Sequence, residues 1–302
     1  MNENNKLDDL LNNFSSKLSI LNQYGISLLS YIGQKGPLKT EYVPVVCSLR
    51  HTMELLEGIA VLIRNQLADP SMLLLRGVFE SVIQTLFILD KDVEIRGRSF
   101  MYYDLLNQID WIEKMDSSSQ KGKELQAWIQ KDIYLNGTNF SKPTDTDKHL
   151  SDLINQKGIL DYAVIHAEYE NQKANGRKIK NWFSLFNGPQ NIEQVAADIN
   201  LGGTYQIFYR HLSESVHGTG VVKGKIIAKN GKGVILDIKA PDNIQYVVST
   251  SISVSIILLK KIIDSLCPEK DKEWTEFYIN EIREVFLRAT EGAYIKINNK
   301  LV

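Results

Sequence analysis

Apolar residues return at three- and four-residue steps along most of this chain, and that period favours helices packed on helices. Leu7, Leu10, Leu11, Phe14, Leu18 and Leu21 begin the pattern and predict an amphipathic helix of about 20 residues. A second helix is expected over 24–33, closed by Gly33, Gly36 and Pro37, and a third over 43–67. Asp69 then reads as an N-cap, with Pro70 at the first helical position of a helix over 72–89. Another helix over 96–115 has Tyr102, Leu105, Leu106, Ile109 and Ile112 as its apolar side.

Residues 116–148 are rich in Ser, Lys and Asp and read as a polar excursion holding one short helix. Helices around 150–156 and 160–174 follow, and Asn175-Gly176 breaks the second. NWFSLFNGPQ (181–190) reads as an aromatic anchor on a loop, with helices over 192–199 and 204–217 beyond it. VVKGKIIAK and VILDIK flank an Asn-Gly turn, so 221–239 predicts a β-hairpin. The 246–266 stretch is rich in β-branched residues, but Val248, Ile252, Ile256, Leu259 and Ile263 keep helical spacing; 271–294 is a closing amphipathic helix. The expected architecture is one all-α, multi-helix bundle over 1–302, decorated by one small hairpin.

Charge narrows the partners. Lys plus Arg (35) nearly balances Asp plus Glu (36), so no global field draws in nucleic acid or an anionic membrane, and a polyanion needs a local cluster to hold it. The N-terminal MNENNKLDDLLNNF lacks a basic stretch followed by an apolar one, the mark of a secretory signal. Residues 72–89 carry Arg76, Glu80 and Gln84, and the uncharged 247–259 run is 13 residues against the ~20 that span a bilayer. A cytoplasmic protein without membrane spans is the expectation. Cys47 and Cys267 offer neither a disulfide framework nor metal-ligand spacing and read as buried free thiols.

Two helices carry polar residues where chemistry can sit. In LLLRGVFESVIQTLFIL (73–89), Arg76, Glu80 and Gln84 fall at i, i+4 and i+8, a narrow polar stripe on an otherwise apolar helix. Buried charge is expensive unless paired, so Arg76 and Glu80 either dock neighbouring helices or orient a catalytic partner. Arg50, His51, Glu54 and Glu57 read as a solvated charged face.

FYRHLSESVHGTG (208–220) is the sharper signal: as a helix it places Arg210, Ser213, Glu214 and His217 on one face over two turns. Arg210 and His217 are then about 10 Å apart at Cα, within reach of one phosphate-sized group. A guanidinium for anions and an imidazole titrating near neutrality suit acid–base chemistry on a phosphodiester. The plainer alternative is a histidine at the helix C-terminus and an Arg210–Glu214 pair. No phosphate loop, HExxH, GxSxG or paired CxxC is present, so no metal or cofactor is expected.

The Arg210–x6–His217 element, with His211 directly after the arginine, resembles the signature of HEPN ribonucleases. LLRGVFE (74–80), NWFSLF (181–186) and YRHLSESVHG (209–218) also resemble an uncharacterised bacterial helical family, a domain of unknown function. The first resemblance implies a dimer whose two motifs face one cleft and an RNA substrate cut without metal. It further implies His217 as the proton-transfer residue, Arg210 as the stabiliser of phosphorane charge and His211 as an assistant. Many such proteins are toxins or abortive-infection nucleases in phage defence, which implies a cognate antitoxin or regulatory partner. Two other functions fit the residues. One is a non-catalytic sensor holding a nucleotide or small anion between the helices of Arg76 and Arg210. The other is an interaction scaffold in which these residues only tie the bundle together.

Overall fold

The computed structural model describes residues 3–138, 151–153, 155, 162–210, 212, 226–229, 232–235, 237–239, 241, 243–290, 296–297 and 300–301. In chain order the main helices are α1 (Glu3–Gln34), α2 (Val43–Arg64), α3 (Ala68–Asp90), α4 (Val93–Met115), α5 (Gln120–Ile129), α6 (Ala163–Ala174), α7 (Ile192–Asp198) and α8 (Ile244–Leu266). The last helical stretch runs as Asp271–Phe277, a π turn at Tyr278–Ile282, and Arg283–Thr290. This is an all-α fold. The predicted hairpin is β1 (Ile226–Lys229) paired antiparallel with β2 (Lys232–Ile235), in the register Ile226 opposite Ile235 through Lys229 opposite Lys232. A second antiparallel ladder that the sequence did not announce pairs β3 (Lys296–Ile297) with β4 (Lys300–Leu301).

The chain divides into two compact units, Met1–Val93 with Ile192–Val302, and Glu94–Asn191. In the first, α3 packs against both α2 and α8. Leu75, Val78, Phe79, Val82 and Ile83 of α3 are buried, as are Val247, Val248, Ile252, Leu258, Leu259, Ile262 and Ile263 of α8. Small buried residues, Ser251 and Ser255, sit among these larger ones on α8. By length and composition alone both α3 and α8 suffice to cross a bilayer, because α8 as a helix extends past the uncharged 247–259 run on both sides. In this fold their apolar surface is used inside the protein: 61% of each apolar stretch is buried.

Three local expectations are corrected. The first two predicted helices are one continuous α1, in which Gly25, inside the second of them, is a packing notch: a Cβ there would lie 2.1 Å from Met53 Sδ. Helix α3 starts at Ala68, so Asp69 and Pro70 occupy its first turn and Leu67, not Asp69, stands at the N-cap. Cys267 is buried as expected, but Cys47 is exposed, since it falls on the outward side of α2. The charged face of α2 is solvated as read, with Arg50 2.6 Å from Glu54.

The second unit has its own core of Tyr102, Ile165 and Leu185, against which Ile95, Leu106, Tyr162, Tyr169 and Ile179 pack. Tyr102, on α4, bonds through its hydroxyl to His166 Nδ1 at 2.7 Å. The 181–190 segment is the anchor its aromatics suggest: Trp182, Phe183 and Leu185 are buried, and Trp182 meets Phe100 edge-on. Phe186 and Asn187 turn the chain back with φ of 53° and 56°. Gly188 is required there, since a Cβ would lie 2.1 Å from the Phe183 carbonyl oxygen. Within the polar excursion, α5 is capped by Ser119, whose Oγ accepts from the Gly122 amide at 2.8 Å.

Candidate functional site

Asn200 takes a left-handed conformation at φ 60° and ends α7, and Gly202–Thr204 restarts the helix. The chain then widens into a π turn over Tyr205–Tyr209 before resuming α geometry at Arg210. Turns of this kind recur at functional sites, because they aim a side chain where a regular helix cannot.

Tyr209, the last residue of the π turn, ties this segment to α3. Its hydroxyl donates to Glu80 Oε1 and accepts from Arg76 Nη2 at 2.9 Å. Arg76 Nε donates to Glu80 Oε1 at 3.1 Å, which closes a three-residue network. The Arg76 guanidinium also lies over the Tyr209 ring, 5.0 Å from its centroid, a cation–π contact. Tyr205 stacks on Tyr209 at 4.6 Å, and Phe79 packs nearby with ring centroids 6.0 Å apart. The polar stripe of α3 is thus a paired, only partly buried network, with 21% of the Arg76 side chain exposed.

Burial, reinforced by the Glu80 hydrogen bond and charge, pushes the Tyr209 hydroxyl from its ordinary 10.0 up to about 12, against the opposing pull of Arg76. A tyrosine whose proton is held more tightly in the folded state stabilises the fold fully below its unfolded value and loses that contribution as pH rises through the folded one. The stability of the wild type should therefore fall more steeply than that of Tyr209→Phe between pH 10.0 and about 12. Thermal midpoints recorded across that window check this, and parallel curves would rule the coupling out.

Arg210 leaves the π turn in a different setting. Its side chain is 62% exposed and is approached by Glu193, at the start of α7, with both carboxylate oxygens 3.5 Å from Nη2. Gln206 Nε2 holds Glu193 Oε1 from the same segment at 2.5 Å. Arg210, Glu193, Arg76 and Glu80 all act electrostatically on the buried Tyr205 hydroxyl, whose pKa is raised by burial first and by Glu193 next. The structure thus brings Arg76 and Glu80 to the residue that precedes Arg210. His211, Ser213, Glu214 and His217 lie outside the described residues.

Tyr209 and Glu193 did not stand out in the sequence. Tyr205 and Tyr209 do share an i, i+4 spacing directly before Arg210, which could have marked an aromatic anchor. Glu193 is an ordinary acid on a short helix, and only the fold brings it to Arg210.

These features define an all-α protein in which one arginine is tied down by a glutamate and a tyrosine, and a second is presented to solvent beside them. The chain belongs to a family of unknown function, DUF5677, whose model matches residues 42–233. That span includes Arg76, Glu80, Glu193, Tyr209, Arg210 and His217. Neither the curated proteins nor the solved structures include a significant match to this chain.

Proposed function

We propose that the chain is a metal-independent endoribonuclease of HEPN type, working as a homodimer in phage defence or a toxin–antitoxin stress response in the cytoplasm. The observation that carries this reading is the presentation of Arg210: an exposed guanidinium, directly after a π turn anchored to α3, seven residues before His217.

In the proposed reaction the 2′-oxygen of the RNA attacks the adjacent phosphorus and the bond to the 5′-oxygen breaks. One proton leaves the attacking hydroxyl and one is delivered to the leaving oxygen. His217 transfers protons and His211 assists, with Ser213 and Glu214 in support. Arg210 binds the non-bridging oxygens and steadies the charge that grows on them. Arg76 and Glu80, through Tyr209, hold the segment that carries Arg210.

Because the nucleophile belongs to the RNA, cleavage should proceed in EDTA. It should leave a 2′,3′-cyclic phosphate and a 5′-hydroxyl, and spare DNA of the same sequence, which lacks the 2′-hydroxyl. Incubating the full chain with single-stranded RNA and DNA and identifying the termini by mass spectrometry checks all three points. Cleavage that needs Mg²⁺, or cuts DNA equally, would sink the proposal.

A further inference from the structure

We propose that Glu193 sets which phosphate this site accepts, making Arg210 selective for the singly charged phosphodiester inside a strand over the doubly charged phosphate at a strand end. This rests on the reading of Arg210 as the phosphate-binding residue.

Both Glu193 oxygens stand 3.5 Å from a single guanidinium nitrogen, Nη2, and Gln206 grips the same carboxylate at 2.5 Å. A carboxylate held by two partners from one segment stays in place when a ligand arrives. The guanidinium is a planar fork of five N–H donors, and among the described residues Glu193 meets it through Nη2, which leaves its other edge to an incoming phosphate. With 62% of the Arg210 side chain and 42% of the Glu193 side chain exposed, that phosphate can arrive without opening the core.

The ligand therefore meets a guanidinium whose charge is already offset by Glu193, beside an Arg76 offset by Glu80. A lone arginine rewards a second negative charge on the ligand; an arginine with a fixed carboxylate beside it does not. One extra unit charge at about 4–6 Å in a water-like medium changes affinity about three- to fivefold. An internal phosphodiester carries one charge, whereas a phosphomonoester carries two well above its second pKa of about 6. The pairing thus suits a site that works along a strand and is not captured by free nucleotides or strand ends.

The test compares two ligands that cannot be cleaved, thymidylyl-thymidine and thymidine 3′-monophosphate, binding to the full chain at about pH 8. Dissociation constants are measured by calorimetry at low salt for wild type, Glu193→Gln, Glu193→Asp and Arg210→Ala. In Glu193→Gln the ratio of the two constants should shift about three- to fivefold toward the monophosphate. Glu193→Asp, which keeps the charge, should restore the wild-type ratio. An unchanged ratio in Glu193→Gln, with binding still lost in Arg210→Ala, overturns the role of Glu193 alone. Wild type binding neither ligand, or Arg210→Ala binding both as wild type does, overturns the phosphate-binding reading and this proposal with it.

Discussion

Under the proposed ribonuclease mechanism, alanine at His217 will slow RNA cleavage by a factor of about 10² to 10⁴, the usual cost of losing one positioned acid–base group. Alanine at Arg210 will slow it by about 10² to 10³, the range seen when one donor to a transition-state oxyanion is removed. Arg210 makes the two effects separable. Its side chain is 62% exposed and, among the described residues, meets a 3.5 Å ion pair with Glu193, an interaction worth about 1 kcal/mol or less at a surface. The Arg210→Ala protein should therefore melt close to wild type while its activity collapses. Single-turnover rates on a labelled RNA, set beside thermal melts of the same preparations, check both halves. Full activity in either variant would remove that residue from the mechanism. A large loss of stability in Arg210→Ala would make it a structural residue.

Phe79→Ala will destabilise the protein by about 3–5 kcal/mol, the cost of emptying a large aromatic from a closed core. That is a large share of the ~5–15 kcal/mol by which folded domains exceed their unfolded states. Phe79 is 1% exposed on the inward side of α3, six residues beyond Leu73, which is 46% exposed on the same helix. Leu73→Ala should change stability by about 0.5 kcal/mol or less, as surface substitutions do. Urea unfolding followed by circular dichroism compares the two directly. Equal losses would mean that the outer side of α3 is covered as well, and its assignment as a half-exposed core helix would fail. Because Phe79 packs near Tyr209, its loss should also weaken any activity that depends on how Arg210 is held.

Much of the fold was legible because its helices announce themselves by period. In α8, β-branched residues favour strand, yet Val248, Ile252, Leu259 and Ile263 recur at helical steps, and all four are fully buried in a helix. The hairpin was legible for the opposite reason, two short β-rich runs around Asn-Gly. Boundaries were less so. In sequence α1 splits before residue 24, yet the helix runs on, and the missing side chain of Gly25 just beyond that point is what admits Met53.

The site was legible only where it is local. The Arg76–Glu80 stripe lies on one helix and could be read from spacing. Their link to Tyr209 crosses 129 residues of chain from Glu80 and 133 from Arg76. Glu193 reaches Arg210 from another helix, 17 residues away. No periodicity encodes such meetings; packing decides them.

The π turn before Arg210 has a consequence for how this segment tolerates change. Each residue of a helix advances about 100° around its axis, and a π turn holds one residue more than the regular turn it replaces. The direction in which Arg210 leaves the segment is therefore a matter of phase, set by how many residues lie between Thr204 and Arg210 as well as by which they are. Losing one residue from Tyr205–Tyr209 would let the wide turn close to a regular one with Arg210 near its present phase, whereas losing two would swing the guanidinium about 100° from Glu193, with every remaining side chain still of a suitable type. Substitutions can adjust the strength of this segment, but its length fixes its aim.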